Sequence, residues 1–299
     1  MLNFFKRKNT LVMTLLAKNE GDIIRENIEF HLRSGVDYIV ATDNASTDGT
    51  REIFQEYERK GLLRLIDEPG DDKDQKAWVN RMGEQAVNDL KADIVIHNDA
   101  DEFWISRSGN LKKDLCSHRD ADVFIVERVN VILEDREGKE NFPKDAIYAV
   151  VEPFDAADVQ ERSKKDNLYY YTLGPKIAFR SKAGCLRVVQ GNHAIENQGA
   201  SIRQKAIDNV KIYHFPVRSK KHFEKKVAEN GVAVARNARL NETQSWHIKR
   251  WYHAYLEGRL DEEYKKLIIS KDEAARLVAA GNVAKIDASK MINRLSVRI

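Results

Sequence analysis

The chain has 299 residues, of which 50 are lysine or arginine and 47 are aspartate or glutamate, giving a net charge of +3. This length allows a full α/β core in one domain plus a smaller appendage, and the nearly balanced charge gives no reason to expect a nucleic-acid partner. No apolar stretch reaches the roughly 18 residues of a membrane span, and Cys116 and Cys185 form neither a disulfide framework nor a zinc site, which favours a reducing compartment.

Strands and helices alternate through the first hundred residues. Apolar runs at 11–16 and 94–96 predict strands that are buried on both faces, 36–41 and 62–66 predict two further strands, and the segments between them show helical spacing of apolar residues. The short connections imply right-handed βαβ crossovers. We therefore predict an α/β fold with a mostly parallel, Rossmann-like sheet and helices on both of its faces.

Polar residues follow three of these strands directly, at 18–20, 43–46 and 99–101. In open parallel sheets, ligands bind outside the carboxyl ends of the strands. The convergence of these three segments at one edge predicts a functional site. No Gly-x-Gly-x-x-Gly or Walker lysine loop is present, which disfavours a dinucleotide oxidoreductase and a P-loop phosphotransferase.

Two acids one residue apart, Asp99 and Asp101, end the fourth apolar run. In an extended backbone they point to the same side, and two converging carboxylates repel each other unless a cation lies between them. Oxygen ligands with an open coordination sphere suit Mg²⁺ or Mn²⁺ and leave room for substrate phosphates. A solvated acidic turn is the alternative interpretation. Asp43 has two interpretations as well, as an acceptor for a base or ribose hydroxyl or as a helix cap.

The second half of the chain is less regular. Residues 121–126 and 129–133 predict two strands, and the polar segment 134–167 predicts either a mobile flap over the site or a surface insertion. Three consecutive tyrosines at 169–171 are interpreted as strand residues in partly buried packing, or as a stacking surface for a sugar. A hairpin is predicted from 176–179 and 186–189.

The last predicted strand, 210–213, leads into His214 and a basic helix that carries Arg218 and Lys226. A neutral imidazole can join two carboxylates on Mn²⁺, but a histidine that is hydrogen-bonded at a strand end is the alternative. The aromatic stripe at 246–256 predicts a helix packed on the main domain. The remaining tail shows only short helical patterns.

Several segments resemble a known family. Asp-Asn-Ala-Ser-Thr-Asp-Gly-Thr at 43–50 resembles the Asp-x-x-Ser-x-Asp-Gly-Thr signature of family-2 glycosyltransferases, and Asp-Ala-Asp at 99–101 resembles their metal motif. Further segments are similar to a bacterial branch of family-2-like enzymes, namely 68–72, 98–104, 190–194 and 214–219. The resemblance covers about residues 11–260. It implies a GT-A fold in domain 1–260, with a nucleotide-binding half at about 10–105 and an acceptor-side half at about 106–260, followed by a helical tail at 261–299.

This resemblance implies a metal-dependent, inverting glycosyltransferase that moves a sugar from a nucleotide-diphosphate donor to a hydroxyl of a saccharide or glycoconjugate acceptor. Asp99, Asp101 and His214 would hold Mn²⁺ or Mg²⁺, and Arg218 would bind the diphosphate. The residues assigned to the nucleotide are Lys18, Glu20, Asp43, Asn44, Ser46, Lys76, Asp99 and Ala100.

The sequence departs from the family pattern at the catalytic base. The Glu-Asp pair and the Gln-x-x-Arg-Trp motif of many family-2 enzymes are missing, and in their approximate place stands the segment 191–196. His193 is the first candidate for the base and Glu196 the second.

Two other functions stay open. One is a sugar nucleotidyltransferase, although the Gly-rich phosphate loop and reactive lysine usual in that class are missing. The other is a non-catalytic carbohydrate-binding protein on a transferase fold, against which the intact acids argue. The resemblance also implies a cytoplasmic enzyme with peripheral contact to the inner membrane. The basic N-terminus at 4–8 fits such contact, although a frayed terminus is the simpler interpretation.

Overall fold

The computed structural model describes residues 9–69, 75–135, 142–143, 146–155, 158–172, 174–196, 201–236 and 245–293. The strands are β1 Leu11–Ala17, β2 Tyr38–Asp43, β3 Leu63–Asp67, β4 Ile94–Asp99, β5 Glu102–Ser106, β6 Val123–Leu133, β7 Ala146–Val150, β8 Lys176–Arg180, β9 Gln204–His214 and β10 Val283–Lys285. The helices are α1 Ile24–Arg33, α2 Thr50–Arg59, α3 Gln75–Asn88, α4 Leu111–Ser117, α5 Val159–Arg162, α6 Lys220–Arg236, α7 Trp246–Leu256, α8 Leu260–Leu267, α9 Lys271–Ala279 and α10 Ala288–Asn293.

The first half of the chain forms a parallel sheet in the order β4-β1-β2-β3. Alternate residues of β1 face opposite layers: Met13 packs with α1 and α2, whereas Val12 packs with α3. Both faces of each central strand are thus covered, which explains why these strands are predominantly apolar without alternation. The predicted α/β fold is confirmed. The register pairs Leu16 of β1 with Thr42 and with Asp99, so the ends of the three strands meet at one edge.

The second half of the chain extends this sheet with antiparallel pairings. β8 lies against β4, followed by β6, β7 and β10, each antiparallel to its neighbour. β9 runs parallel to β6 and antiparallel to β5. The last pairing brings Glu102, which follows the acidic turn, opposite His214. The strands of the second half therefore close the site from the other side.

Several local predictions for the second half are wrong. The two strands expected at 121–126 and 129–133 are one strand, β6, with a register irregularity between Val126 and Arg128. The expected hairpin is absent from the described residues, because β8 pairs with β4 and β6 while Val188 makes only an isolated bridge to Ile195. In each case long-range pairing decided the outcome, which local propensity does not report.

The tyrosines at 169–171 are not in a strand. A 3₁₀ turn, Leu168–Tyr170, places all three side chains in the interior, so the packing interpretation holds and sugar stacking does not. The segment 134–167 contains β7 and α5 in its described part. The remainder of that segment lies outside the described residues, as do residues 70–72 of the motif at 68–72, the basic N-terminus at 4–8 and the tail end at 294–299.

The tail beyond residue 260 packs into the same core as the second half. Tyr264, Leu277 and Ile292 belong to one buried cluster with Phe215 and Trp251. The aromatic stripe of α7 thus packs on the main domain, as predicted. The predicted boundary at residue 260 does not coincide with a gap in packing. Within the described ranges, no helix is long and apolar enough to cross a bilayer.

Candidate active site

A cleft of about 410 Å³ opens at the carboxyl ends of β1 and β4 and is bordered by residues of α6 and α7. Many of the side chains that line it are charged. The charged side chains that line it include Lys18, Glu20, Asp99, Asp101, Lys176 and Lys226. Asn44, Ala100, His193 and His214 line it as well, so most of the residues predicted for the site meet here.

Two loops of the parallel half form one wall. The hydroxyl of Ser46 accepts a hydrogen bond from the Asn19 N–H at 2.9 Å, and the carboxylate of Asp48 accepts one from the Gly21 N–H at 3.0 Å. A Cβ on Gly21 would lie 2.8 Å from the Asp48 carbonyl oxygen, so this close approach requires glycine. Ser46 does not line the cleft. The Ser-Thr-Asp-Gly-Thr string therefore fastens the two loops together.

Asp43 lies behind this wall and is 1% exposed. One carboxylate oxygen accepts from the Ser46 N–H at 3.1 Å, while the other is buried with no hydrogen-bond partner among the described residues. Burial raises the pKa of Asp43, and its hydrogen bond to Ser46 only partly offsets this. Asp43 does not cap α2, whose first N–H bonds to Asp48 instead. Asp43 does not line the cleft, whereas its neighbour Asn44 does, so the role of Asp43 in nucleotide binding stays a prediction.

The acidic turn is held by an amide from α1. The side chain of Asn27 donates to the carbonyl oxygens of Ala100 at 3.0 Å and Glu102 at 2.8 Å. Asn98 donates to Asn27 at 3.0 Å and accepts from the Trp104 indole at 3.0 Å. All of these groups are buried, so each hydrogen bond replaces one that water would otherwise make. This scaffold fixes the backbone between the two acids.

Asp101 faces two basic groups from the second half. Its Oδ2 lies 3.0 Å from Nζ of Lys226 and 3.7 Å from Nε2 of His214. Burial by itself raises the pKa of Asp101, but the Lys226 ammonium and the His214 imidazole outweigh burial and hold that pKa well below its usual range. Asp101 is therefore an anion in the folded protein.

The tautomer of His214 follows from its second contact. Asn130 donates its amide N–H to the Tyr169 carbonyl at 3.0 Å, which turns its amide oxygen toward Nδ1 of His214 at 2.9 Å. An oxygen acceptor at Nδ1 requires a proton on that nitrogen, so the neutral form of the ring has its lone pair on Nε2, whereas the protonated form has an N–H there. Nε2 is the nitrogen that faces Asp101. Such an arrangement is typical of a histidine that ligates a metal through Nε2.

Asp99 has different neighbours. It accepts a hydrogen bond from Nζ of Lys176, and the same Nζ lies 3.4 Å from a carboxylate oxygen of Glu102. Arg128 contributes a second cation, 3.2 Å from Glu102. Lys176 is 1% exposed and Glu102 is fully buried. Burial raises the pKa of Glu102, although Lys176 counteracts it. This chain of charges forms the floor of the cleft.

The donor chemistry at Asp101 suits a divalent ion. Two ligands that are each about 2.1 Å from one ion lie about 3–4 Å apart, and Asp101 and His214 meet that condition. Asp99 does not complete a compact triad with them. In the described part of the chain, the one group of three such donors within 4.8 Å of each other is Glu20, Asp22 and His222. That group surrounds the guanidinium of Arg218, so a cation is already part of it.

Arg218 has other partners than its predicted diphosphate. Its guanidinium donates to Asp22 at 2.7 and 2.8 Å, to Glu20, and to Nε2 of His222 at 2.7 Å. The side chain is 1% exposed and does not line the cleft. Burial and the neighbouring Arg218 lower the pKa of His222 to about 2. These contacts disfavour a role in binding diphosphate and place Arg218 as a brace between the β1–α1 loop and α6. Its functional assignment remains a prediction that these contacts do not support.

His193 reaches the cleft with one nitrogen committed. Its Nδ1 donates to the Pro175 carbonyl at 2.7 Å, so in the neutral ring the lone pair is on Nε2. A Cβ on Gly191, where φ is 81°, would lie 2.6 Å from that Nε2. Glycine is thus required for this ring position. Burial lowers the pKa of His193, which keeps the ring neutral and able to accept a proton.

Glu196 and Lys76 lie outside the cleft lining. They form an ion pair with each other, and Glu196 also contacts Arg187 at 3.1 Å. The hydrogen bond from Lys76 and the one from Arg187 lower the pKa of Glu196, which makes it a weak base. Neither Glu196, predicted as a base, nor Lys76, predicted to bind the nucleotide, lines the cleft. Both stay untested predictions.

The family model for glycosyltransferase family 92 matches residues 13–256, which is more than half of the chain. The chain belongs to glycosyltransferase family 92. The enzyme is therefore a glycosyltransferase, and the expectation of a GT-A-like glycosyltransferase is confirmed. The match shows membership of family 92. It does not show membership of the family-2-like bacterial branch. No curated protein matches the chain.

Several solved structures are similar to parts of this family-92 enzyme. S. aureus TarS 1–349 in complex with UDP is 15% identical, with 83% of this chain and 70% of that chain covered and a TM-score of 0.43. S. aureus TarS is 16% identical over 90% of this chain and 45% of that chain, with a TM-score of 0.44. Glucosyl-3-phosphoglycerate synthase from Mycobacterium tuberculosis, in complex with Mn²⁺, UDP and glucosyl-3-phosphoglycerate, is 17% identical over 41% of this chain and 44% of that chain, with a TM-score of 0.28.

Four basic residues of the family-92 cleft were not predicted as site residues: Arg128, Lys176, Lys226 and His247. Little in the sequence marked these residues as part of a site, because the residues around each of them are ordinary for the strand or helix in which it lies. Lys226 is the exception. It follows His222 by four residues, so the two side chains share a face of α6. The available signal in the sequence was the basic helix that follows His214 and carries Lys226.

Proposed function

We propose that this family-92 enzyme transfers a sugar from a nucleotide-diphosphate donor to a hydroxyl acceptor with inversion, and that it requires Mn²⁺ or Mg²⁺. The observation that carries the proposal is that Oδ2 of Asp101 and Nε2 of His214 lie 3.7 Å apart inside a cleft lined by lysines. Asp99 would complete the metal site after a side-chain rearrangement. A bound divalent ion would neutralise charge that develops on the leaving diphosphate.

We place the nucleotide on the parallel half, at about residues 10–105. Lys18, Asn44 and Ala100 line the cleft, and Asp43, directly before Asn44, keeps one buried carboxylate oxygen without a hydrogen-bond partner among the described residues. The acceptor is placed on the other half, at about residues 106–260, because His193 approaches the cleft from that side. The segment 261–299 is proposed as a structural tail.

His193 is the proposed general base. Inversion requires a group that takes the proton of the attacking hydroxyl on the face opposite the leaving group. The neutral ring accepts that proton at Nε2 while Nδ1 keeps its hydrogen bond to the Pro175 carbonyl. The imidazolium that forms is stabilised by this carbonyl. Asp101 and His214 would act only on the donor side.

Titration calorimetry with UDP, GDP, CDP and dTDP, each with and without Mn²⁺, tests the donor and the metal together. We expect one nucleotide to bind tightly to the wild type in the presence of the ion, and binding to weaken strongly in Asp101→Asn. Absence of binding for all four nucleotides would favour the non-catalytic carbohydrate-binding alternative. Nucleotide binding that is independent of both the ion and Asp101 would remove the metal from the proposal.

The location in the cytoplasm, with peripheral contact to the inner membrane, also stays a proposal. It depends on the resemblance and on the basic segment at 4–8. Fractionation of tagged cells with low-salt and high-salt washes tests it. Release of the protein from membranes by salt would support an electrostatic contact, because such contacts are screened.

A further inference from the structure

Lys226 occupies a position next to the oxygen that the metal would use. Its Nζ lies 3.0 Å from Oδ2 of Asp101, the same oxygen that lies 3.7 Å from Nε2 of His214. The ammonium group is therefore the counter-ion of Asp101 in this structure. Lys226 also lines the cleft, where a donor diphosphate would lie.

The position of Lys226 follows from how α6 is fixed. Four residues earlier, His222 accepts from Arg218 at 2.7 Å, and three residues later Glu229 accepts from the side-chain amide of Asn19 at 2.7 Å. Both contacts lie on the same side of the helix as Lys226. The helix is thereby held against the β1–α1 loop, and the Lys226 side chain is directed into the cleft.

Its neighbour Lys225 differs in each of these respects. Nζ of Lys225 lies 3.7 Å from Asp48 and 4.0 Å from Glu229, and its side chain is 42% exposed, against 28% for Lys226. Lys225 does not line the cleft. It carries the same charge one residue away and is therefore a matched control.

An ammonium group and a divalent ion compete for one carboxylate oxygen. A metal bound at about 2.1 Å from that oxygen would lie within a few ångströms of Nζ, where two cations repel strongly in a partly desolvated cleft. Lys226 has a long, flexible side chain and can turn to another anion, whereas the imidazole of His214 is fixed by Asn130. Entry of the ion therefore requires Lys226 to leave Asp101.

We propose that Lys226 competes with the divalent ion for Asp101 and is transferred to the donor diphosphate when the nucleotide binds, so that ion and nucleotide bind cooperatively. This inference rests on the proposed metal-dependent function. It assigns Lys226 two successive partners, Asp101 in the free enzyme and a phosphate oxygen in the donor complex. By linkage, the factor by which nucleotide strengthens ion binding equals the factor by which the ion strengthens nucleotide binding.

Replacement of Lys226 separates these two partners and changes two affinities in opposite directions. In Lys226→Met we expect Mn²⁺ to bind the nucleotide-free protein about tenfold more tightly, because the competing cation is gone. We expect the nucleoside diphosphate to bind about tenfold more weakly in the absence of metal, because a phosphate contact is lost. Methionine has a helix propensity and a length similar to those of lysine, so the substitution preserves the helix. If Lys226 had a purely structural role, its replacement would weaken the binding of both Mn²⁺ and the nucleoside diphosphate.

The experiment measures Mn²⁺ binding by the electron paramagnetic resonance signal of the free ion, with and without the nucleoside diphosphate, on wild type, Lys226→Met, Lys225→Met and Asp101→Asn. Stronger Mn²⁺ binding by nucleotide-free Lys226→Met, with Lys225→Met within about twofold of wild type, supports the proposal. Equal changes in Mn²⁺ affinity in both lysine variants would show that only the net charge near the cleft matters, and this would overturn the proposal.

Two further outcomes distinguish this inference from the proposed function. If Mn²⁺ binding requires Asp101 but is unchanged by Lys226→Met, the competition is refuted while the metal site stands. If none of the proteins binds Mn²⁺ with or without nucleotide, the metal part of the proposed function fails and the inference fails with it.

Discussion

The two acids of one motif lie in different electrostatic surroundings. Asp99 is paired with Lys176, whose ammonium also compensates the fully buried Glu102. Asp101 is paired with Lys226, which reaches in from a helix and has no second carboxylate within ion-pair distance among the described residues. The first lysine is needed where it is, because a buried carboxylate without a cation is costly. The second can leave. We infer that Asp101 is the chemically available acid and that Asp99 is primarily held by the fold.

The largest expected effect is that of Asp101→Asn. Asparagine keeps the shape of the side chain but removes the charge that would bind the ion, so we expect the rate of sugar transfer to fall by about 10³-fold or more, equivalent to about 4 kcal/mol. Asp99→Asn is the matched comparison, and its loss of turnover should be smaller. Steady-state rates and thermal melts of both variants check this. Near-normal turnover of Asp101→Asn would contradict the metal assignment.

Lys176→Met probes the other acid through stability. Without this ammonium, Glu102 is left as a buried charge close to Arg128 alone, and we expect the free energy of unfolding to fall by about 3–5 kcal/mol. Urea unfolding followed by circular dichroism measures the loss. Lys182→Met removes an exposed lysine of the same strand region and should change little.

The loss of unfolding free energy in Lys176→Met should depend on pH, and the direction of that dependence tests the role of Glu102. Burial raises the pKa of Glu102, so as pH falls the folded state takes up a proton before the unfolded state does. Lower pH therefore stabilises the folded state through this group, and the deficit of the variant should shrink from neutral to mildly acidic buffer. A deficit that grows as pH falls would contradict the assignment to Glu102.

An intermediate effect is expected for His193→Gln. Loss of the base should lower kcat by about 10²-fold with little change in the KM of the donor. Burial lowers the pKa of His193 below its ordinary 6.5, and the base must be neutral to accept a proton. The acid limb of the wild-type rate profile should therefore lie below 6.5 and vanish in the variant. Glu196→Gln, on the surface with Lys76 and Arg187, should leave kcat nearly unchanged; the reverse ranking would exchange the two assignments.

The smallest effect is expected for Asn130→Leu. The leucine cannot accept the Nδ1 proton of His214, so the ring is no longer held with Nε2 toward Asp101. We expect the affinity for Mn²⁺ to fall by about 10-fold, the lower range for loss of a partner that orients a ligand. Mn²⁺ titration in the presence of nucleotide measures it. Unchanged affinity would show that His214 is not a ligand.

The parallel half was predictable because its signals are local. Strands such as β1 are apolar at every position except Thr14, since both faces are covered, and each polar segment follows its strand without a gap. The edge where Asp43, Asp99 and Asp101 meet then follows from the geometry of a parallel sheet. The resemblance of the acid motif and of the Ser-Thr-Asp-Gly-Thr string carried the enzyme class, which family membership confirms.

The second half was not predictable in the same way because its strands are defined by partners distant in sequence. β6 reads as two pieces around Glu127 and Arg128, and only its pairing with β8 and β9 makes it continuous. The 3₁₀ turn of the tyrosines likewise depends on Asn130, which binds the Tyr169 carbonyl. Long-range pairing outweighs local propensity in such segments.

The sequence by itself determined the parallel sheet, the acid motif at its edge and the membership of a glycosyltransferase family. The tertiary structure alone decided which cation meets which acid: Lys176 with Asp99, Lys226 with Asp101, and Arg218 with Asp22. The physical reason is that strand and helix periodicity is encoded in neighbouring residues, whereas an ion pair depends on the packing of elements that are 77 to 196 residues apart.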